Sequence, residues 1–408
     1  MTSRIYLDYN ASAPLANSAK TAMAAAFELS GNPSSVHSSG RHVRAALEQA
    51  REQLAEFVGV RPQDVIWTSG GTEANNLALT PSLFARDKQE EVTLYVSAIE
   101  HPSVLNGMRF PKERIKLIPV TPSGVIDLAW LESELTHNLS EQGLSEAELA
   151  EGLAPGSQPL LVSVMLANNE TGVLQPIKEL SELVHKAGGL LHSDCVQGFG
   201  KHPIHMDELG ADLISVSAHK VGGPQGVGAL IVRDAGVVLR DPLVAGGGQE
   251  LKRRGGTENV LGIVGFGAAI EEMKTSTQTE QARLQSLRDD LEAALQKAAP
   301  DAVIFGKGQD RLPHVCCFGV AGMMAETQVI QLDLAGIAVS SGSACSSGKV
   351  EQSHVLKAMG VDEALSFSAL RVSLGADTKQ SDLDEFVTVW TRLYQKAKPD
   401  LKTDNAAA

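Results

Sequence analysis

The sequence predicts an α/β fold: a mostly parallel seven-stranded sheet with helices on both faces, plus a smaller α+β domain. Three observations predict it. Seven short apolar runs recur through the middle of the chain, several apolar nearly throughout, as strands buried on both faces must be. Amphipathic stretches separate them, an alternation that favours parallel strand pairing. Beyond the glycine-rich residues 246–256 the pattern changes to longer helices flanking shorter apolar runs.

The candidate strands are residues 65–68, 92–97, 115–120, 160–166, 190–194, 212–217 and 228–233. Before them, Val43, Leu47, Ala50, Leu54 and Phe57 share one face of a helix. In the last third, Leu284, Leu287, Leu291 and Leu295 mark one helix, and Leu383, Phe386, Trp390 and Leu393 another. Residues 315–320 and 370–374 are the apolar runs between them. The reading divides the chain into an N-terminal segment, 1–14, packing with the small domain, a large domain, 15–262, and a small domain, 263–408. Residues 137–158 are polar and acidic and read as a surface insertion with some helix, and the tail from 402 reads as frayed.

A chain of 408 residues is long enough for two or three domains. With 43% hydrophobic and 21% charged residues it is neither a disordered chain nor a small disulfide scaffold. A net charge of −14 does not favour the phosphate-neutralising surface that stable nucleic-acid binding needs. No apolar run is long enough to span a bilayer and no secretory signal is visible, so no membrane association is expected. The four cysteines, Cys195, Cys316, Cys317 and Cys345, form no C-x-x-C pair and read as free thiols in a reducing compartment, the cytoplasm.

Chemistry-bearing residues cluster after the strands. Thr68-Ser69-Gly70-Gly71-Thr72-Glu73 is a strand–glycine–helix turn, which either cradles an anion on free N–H groups or is an ordinary connection. Asp194 ends an apolar run, where a carboxylate either holds a proton on a heteroaromatic nitrogen or caps the next helix. Lys220 follows another, with Ser217 and His219 beside it. A lysine at a buried strand end is either chemically used, as Schiff-base lysines are, or snorkels to solvent. Glu100-His101-Pro102 and Asn168-Asn169-Glu170-Thr171-Gly172 also follow strands. Their bland readings are a structural histidine and a polar turn. Together these strand ends place Thr72, His101, Asn169, Asp194 and Lys220 at one edge of one sheet. Residues 340–348 are small and polar around Cys345 and read as a mobile loop whose thiol is used. Cys316 and Cys317 lie in an apolar run and read as core, and Cys195 as structural.

In this order, and with Gly31-Asn32-Pro33-Ser34-Ser35, Asp194-Cys195-Val196-Gln197, Arg253-Arg254-Gly255-Gly256-Thr257-Glu258-Asn259, Ser340-Ser341-Gly342-Ser343-Ala344-Cys345 and Arg371-Val372-Ser373-Leu374-Gly375, the chain resembles the cysteine desulfurases of the NifS/IscS type. These are class V aminotransferase-like enzymes with the fold-type I pyridoxal-phosphate architecture. The resemblance implies a homodimer with shared sites that moves sulfur from L-cysteine to Cys345, leaving L-alanine and a persulfide. An acceptor protein in iron–sulfur cluster or thio-cofactor biosynthesis would then take the sulfur. It implies Lys220 as covalent anchor of pyridoxal 5'-phosphate, Asp194 on the pyridinium nitrogen, and His101 stacked on the ring and moving protons. Asn169 and Gln197 would hold the ring's phenolate oxygen or support substrate. Thr72, Ser217, His219 and backbone near Gly71 would bind the phosphate, and Thr257 that of the neighbouring subunit. Arg371 would clamp the substrate carboxylate. Ser12 and Ala13 stand where the family commonly has two threonines, and Glu351-Gln352-Ser353 where it commonly has Glu-Pro-Ser. Selenocysteine lyase, or another class V lyase or transaminase, is the competing activity, distinguished by its lesser need for Cys345.

Overall fold

The computed structural model describes residues 4–83, 92–141, 159–233, 237, 239, 241–342 and 352–398. After a short first strand, β1 (Ile5–Tyr6), seven strands build the main sheet: β2 (Val65–Thr68), β3 (Thr93–Ser97), β4 (Ile115–Ile118), β5 (Leu160–Ser163), β6 (Leu190–Asp194), β7 (Leu213–Ser217) and β8 (Gly228–Val232). Their order is β2-β8-β7-β6-β5-β3-β4. β7, β6, β5, β3 and β4 pair in parallel, whereas β8 is antiparallel to both β7 and β2. Two reversals restore direction, so β2 runs with β7, and the chain leaves β2, β3, β5, β6 and β7 at one edge of the sheet. That edge is where open α/β sheets bind ligands.

The strands form where the sequence is apolar on both faces. Every residue of β3, β5, β7 and β8 is buried, whereas the edge strand β4 exposes its middle. The helical period after residue 38 becomes the helix Ser38–Val58, stopped by Gly59 in the left-handed region (φ 74°), as a helix-ending glycine is.

A second sheet, in the order β12-β13-β10-β9, comprises β9 (Val303–Ile304), β10 (Val315–Gly319), β12 (Ser340–Ser341) and β13 (Leu370–Ser373). Here β1 pairs in parallel with β11 (Ile337–Ala338), and Leu7 joins the core under this sheet. The long helix Val260–Ala298 ties the two parts together. Ile263, Phe266 and Ile270 pack in the core of the main sheet, and Leu284, Leu287, Leu291 and Leu295 in the second core. The helix Gln380–Ala397 buries Leu383, Phe386 and Trp390 against the same second core. No described helix is long and apolar enough to cross a membrane.

Candidate active site

Gly71, Thr72, His101, Asn169, Asp194, Gln197, Ser217, His219 and Lys220 line one cavity of about 200 Å³ at the exit edge of the main sheet. Each is delivered by a strand. Two residues after β2 comes Gly70, whose φ of 156° suits glycine, and the helix Gly71–Ala78 starts at once. A side chain at Gly71 would bring its Cβ to 2.7 Å from Val196 Cγ2, so only glycine lets this helix start approach the turn after β6. No side chain caps that helix start, which leaves its first N–H groups open to an anion.

Asp194 ends β6 and is buried. Its Oδ2 accepts from Asn75 Nδ2 at 2.7 Å and its Oδ1 from the Val196 N–H at 2.9 Å. The turn-capping reading is therefore realised, in a side chain that also lines the cavity. Asn75 lies on the helix after β2, and the same amide donates to Ser103 Oγ. Lys220, in the short 3₁₀ turn after β7, donates to the carbonyls of Asn10 at 2.5 Å and Ala11 at 3.0 Å. It does not run out to solvent alone. Gln197 Nε2 donates to the same Asn10 carbonyl, which places the N-terminal segment across the cavity.

His101 Nδ1 accepts from the Ser103 N–H at 3.1 Å, so the neutral ring carries its proton on Nε2. Burial first holds its pKa below the ordinary value; Lys220 and His354 add to this while Asp194 opposes it. His219 is lowered further, to about 4, by burial and then by Lys220 and Lys201. Glu100 is wholly buried, its Oε1 accepting from the Met165 N–H at 2.6 Å. Burial, with Asp194 adding, drives that carboxyl well above the usual range.

Arg371, on β13, does not line the cavity. Its Nη1 donates to the Asn169 carbonyl at 2.9 Å and its Nη2 to Asp8 Oδ1 at 2.9 Å, and Nε is buried without a partner. Thr257 is exposed and away from the cavity; the neighbouring Arg254 ties this segment to Glu73 at 2.9 Å. Cys345 lies outside the described residues. Cys195, Cys316 and Cys317 are buried and unpaired, and burial pushes each thiol up, which makes them poor nucleophiles.

Sequence reasoning gave no role to Asn75, Ser103 or Asn10. Asn75 had a local signal: it lies three residues after Thr72 and so near it on a helix. Asn10 had none, because its partners Lys220 and His314 are 210 and 304 residues away.

The cavity suits a phosphorylated, protonated heteroaromatic aldehyde. Asp194 could take a ring N–H, Lys220 carries an amine, and Thr72 and Ser217 with the uncapped helix start could take an anion. Asn169 Oδ1 and Gln197 Oε1 are buried without partners, as groups awaiting a ligand are. Fold and site together define a pyridoxal-phosphate-dependent α/β enzyme. Residues 5–386 match the family described as aminotransferase class-V, and the chain belongs to that family. It is 38% identical over 402 residues to cysteine desulfurase IscS of Dictyoglomus turgidum, covering 98% of this chain and 96% of that one. It is 36% identical to a cysteine desulfurase of Sinorhizobium fredii, over 97% of each chain. A solved NifS-like protein from Rickettsia africae superposes with a TM-score of 0.83 at 34% identity, over 96% of this chain and 99% of that one.

Proposed function

We propose that this chain is a cysteine desulfurase, which takes sulfur from L-cysteine onto Cys345 and releases L-alanine. The observation that carries the reading is the single cavity shared by Lys220 and Asp194, in a chain aligned nearly end to end with relatives named cysteine desulfurase. Pyridoxal phosphate, when bound, supplies an electron sink for negative charge at the substrate's α-carbon. Lys220 would hold it covalently, Asp194 would hold its ring N–H, and Asn169 and Gln197 its phenolate oxygen. Thr72, Ser217, His219 and the helix start after Gly71 would take its phosphate.

The protein's own groups perform the rest. Asn75 and the Val196 N–H fix the Asp194 carboxylate in place. The Lys220 amine, which lines the cavity, would accept the α-proton of the substrate. His101, neutral and with its proton on Nε2, lines the same cavity and would pass protons there. Arg371 would clamp the substrate carboxylate by exchanging its Nη contacts to the Asn169 carbonyl and Asp8 for that carboxylate. The Cys345 thiolate forms a bond to the substrate sulfur as the carbon–sulfur bond breaks, and the persulfide goes on to an acceptor protein. Thr257, exposed on its segment, would reach the phosphate of a second copy in a homodimer. Free buried thiols agree with a cytoplasmic location.

The test is mass spectrometry of the pyridoxal-phosphate-loaded protein after treatment with L-cysteine. The expected result is released alanine and one added sulfur on the Cys345 peptide. Sulfide release at the wild-type rate by Cys345→Ser would remove Cys345 from the reaction.

A further inference from the structure

A second cavity, of about 340 Å³, lies on the other side of Lys220. Its walls come from the N-terminal segment around Ala13 and Pro14, the turn after β6 at Gly200 and Lys201, the long helix at Met273 and Gln281, and His314. Two of these side chains end in buried donors with no hydrogen-bond partner, Lys201 Nζ and Gln281 Nε2. Leaving a buried amine and a buried amide unsatisfied is costly, and such groups commonly await a ligand or ordered water. Apolar Leu15, Ala269, Leu284 and Leu374 complete the lining.

We propose that this cavity binds a small carboxylate, with its oxygens on Lys201 Nζ and Gln281 Nε2 and its alkyl part against the apolar wall. Lys220 and Arg371 are the cations that act on the Lys201 amine, and the nearby His219 and His314 are held neutral. Lys20, Glu272, Glu280 and Asp377 also line the cavity, and Glu280 is engaged by Arg283 at 2.7 Å. His314 adds no competing charge: its Nε2 donates to Asn10 Oδ1 at 2.7 Å, and burial holds the ring neutral. Burial first, then Lys220 and Arg371, brings the Lys201 amine down to about 7, so it is a cation below that pH and neutral above it. Affinity for an anion therefore falls as pH rises through neutrality. The site stands apart from the desulfurase reading, because it is tested by binding and not by turnover.

The probe is sodium propionate, titrated into the pyridoxal-phosphate-loaded protein by calorimetry. The expected result is one site per chain with Kd on the order of 1 mM at pH 6, at least about tenfold weaker at pH 9. Lys201→Met and Gln281→Leu, which remove unpartnered donors, are each expected to fold and to weaken binding about tenfold or more. No binding to the wild type at about 50 mM would overturn the proposal. Undiminished binding to Lys201→Met would also overturn it, by moving the anion to Arg371.

Discussion

Replacing Glu170 by glutamine tests how the second sheet meets the active-site edge. Glu170 follows Asn169, is 3% exposed, and accepts from Ser353 Oγ at 2.6 Å. A Cβ at Gly342 would lie 3.3 Å from the same carboxyl oxygen. The two sides of residues 343–351 therefore converge on this one carboxyl group. Burial raises its pKa from 4.5 to about 7, opposed by the Ser353 hydrogen bond and by Arg371. A shift of that size is about 3 kcal/mol against the ionised form. The folded pKa lies above the unfolded one, so between them the unfolded chain binds fewer protons. Stability is lost as pH rises from about 4.5 to about 7. Glu170→Gln keeps an acceptor for Ser353 and removes the titration. Its stability relative to wild type should therefore improve by about 3 kcal/mol across that window, read as several degrees of Tm at pH 8 compared with pH 5. Parallel Tm–pH curves for the two proteins would refute the reasoning.

Lys220→Ala should bind pyridoxal phosphate only non-covalently and lose turnover; borohydride reduction and peptide mapping of the wild type should place the adduct on Lys220. Asn75→Leu removes a donor from Asp194 and should lower kcat by about tenfold, an order set by one charge-assisted hydrogen bond, with a displaced cofactor absorption band as independent readout. Glu250→Ala leaves the guanidinium of Arg51 and the Trp67 N–H without their carboxylate and should cost about 3–5 kcal/mol, seen as a lowered Tm. In the native protein a thiol reagent should label Cys345 and spare Cys195, Cys316 and Cys317, which react only on unfolding.

Lys220, Asp194 and Gly71 were legible because each abuts a strand whose burial is written in consecutive residues. The order and the one reversed strand were not, since β8 is apolar in the same way as the strands that pair in parallel. Arg371 was legible only through the resemblance: by itself it sits in an apolar run, and its partner Asp8 is 363 residues away.

The amino-acid order alone determined the strands, the helices between them and the sheet edge at which chemistry collects, because hydrophobic period and glycine placement act over a few residues. Tertiary structure alone decided that the Asn10 carbonyl bridges Lys220 and Gln197, that Ser353 meets Glu170, and that the amine of Lys201 has no partner. Such contacts depend on how two cores close on each other, and chain closure over hundreds of residues leaves no periodic mark in the sequence.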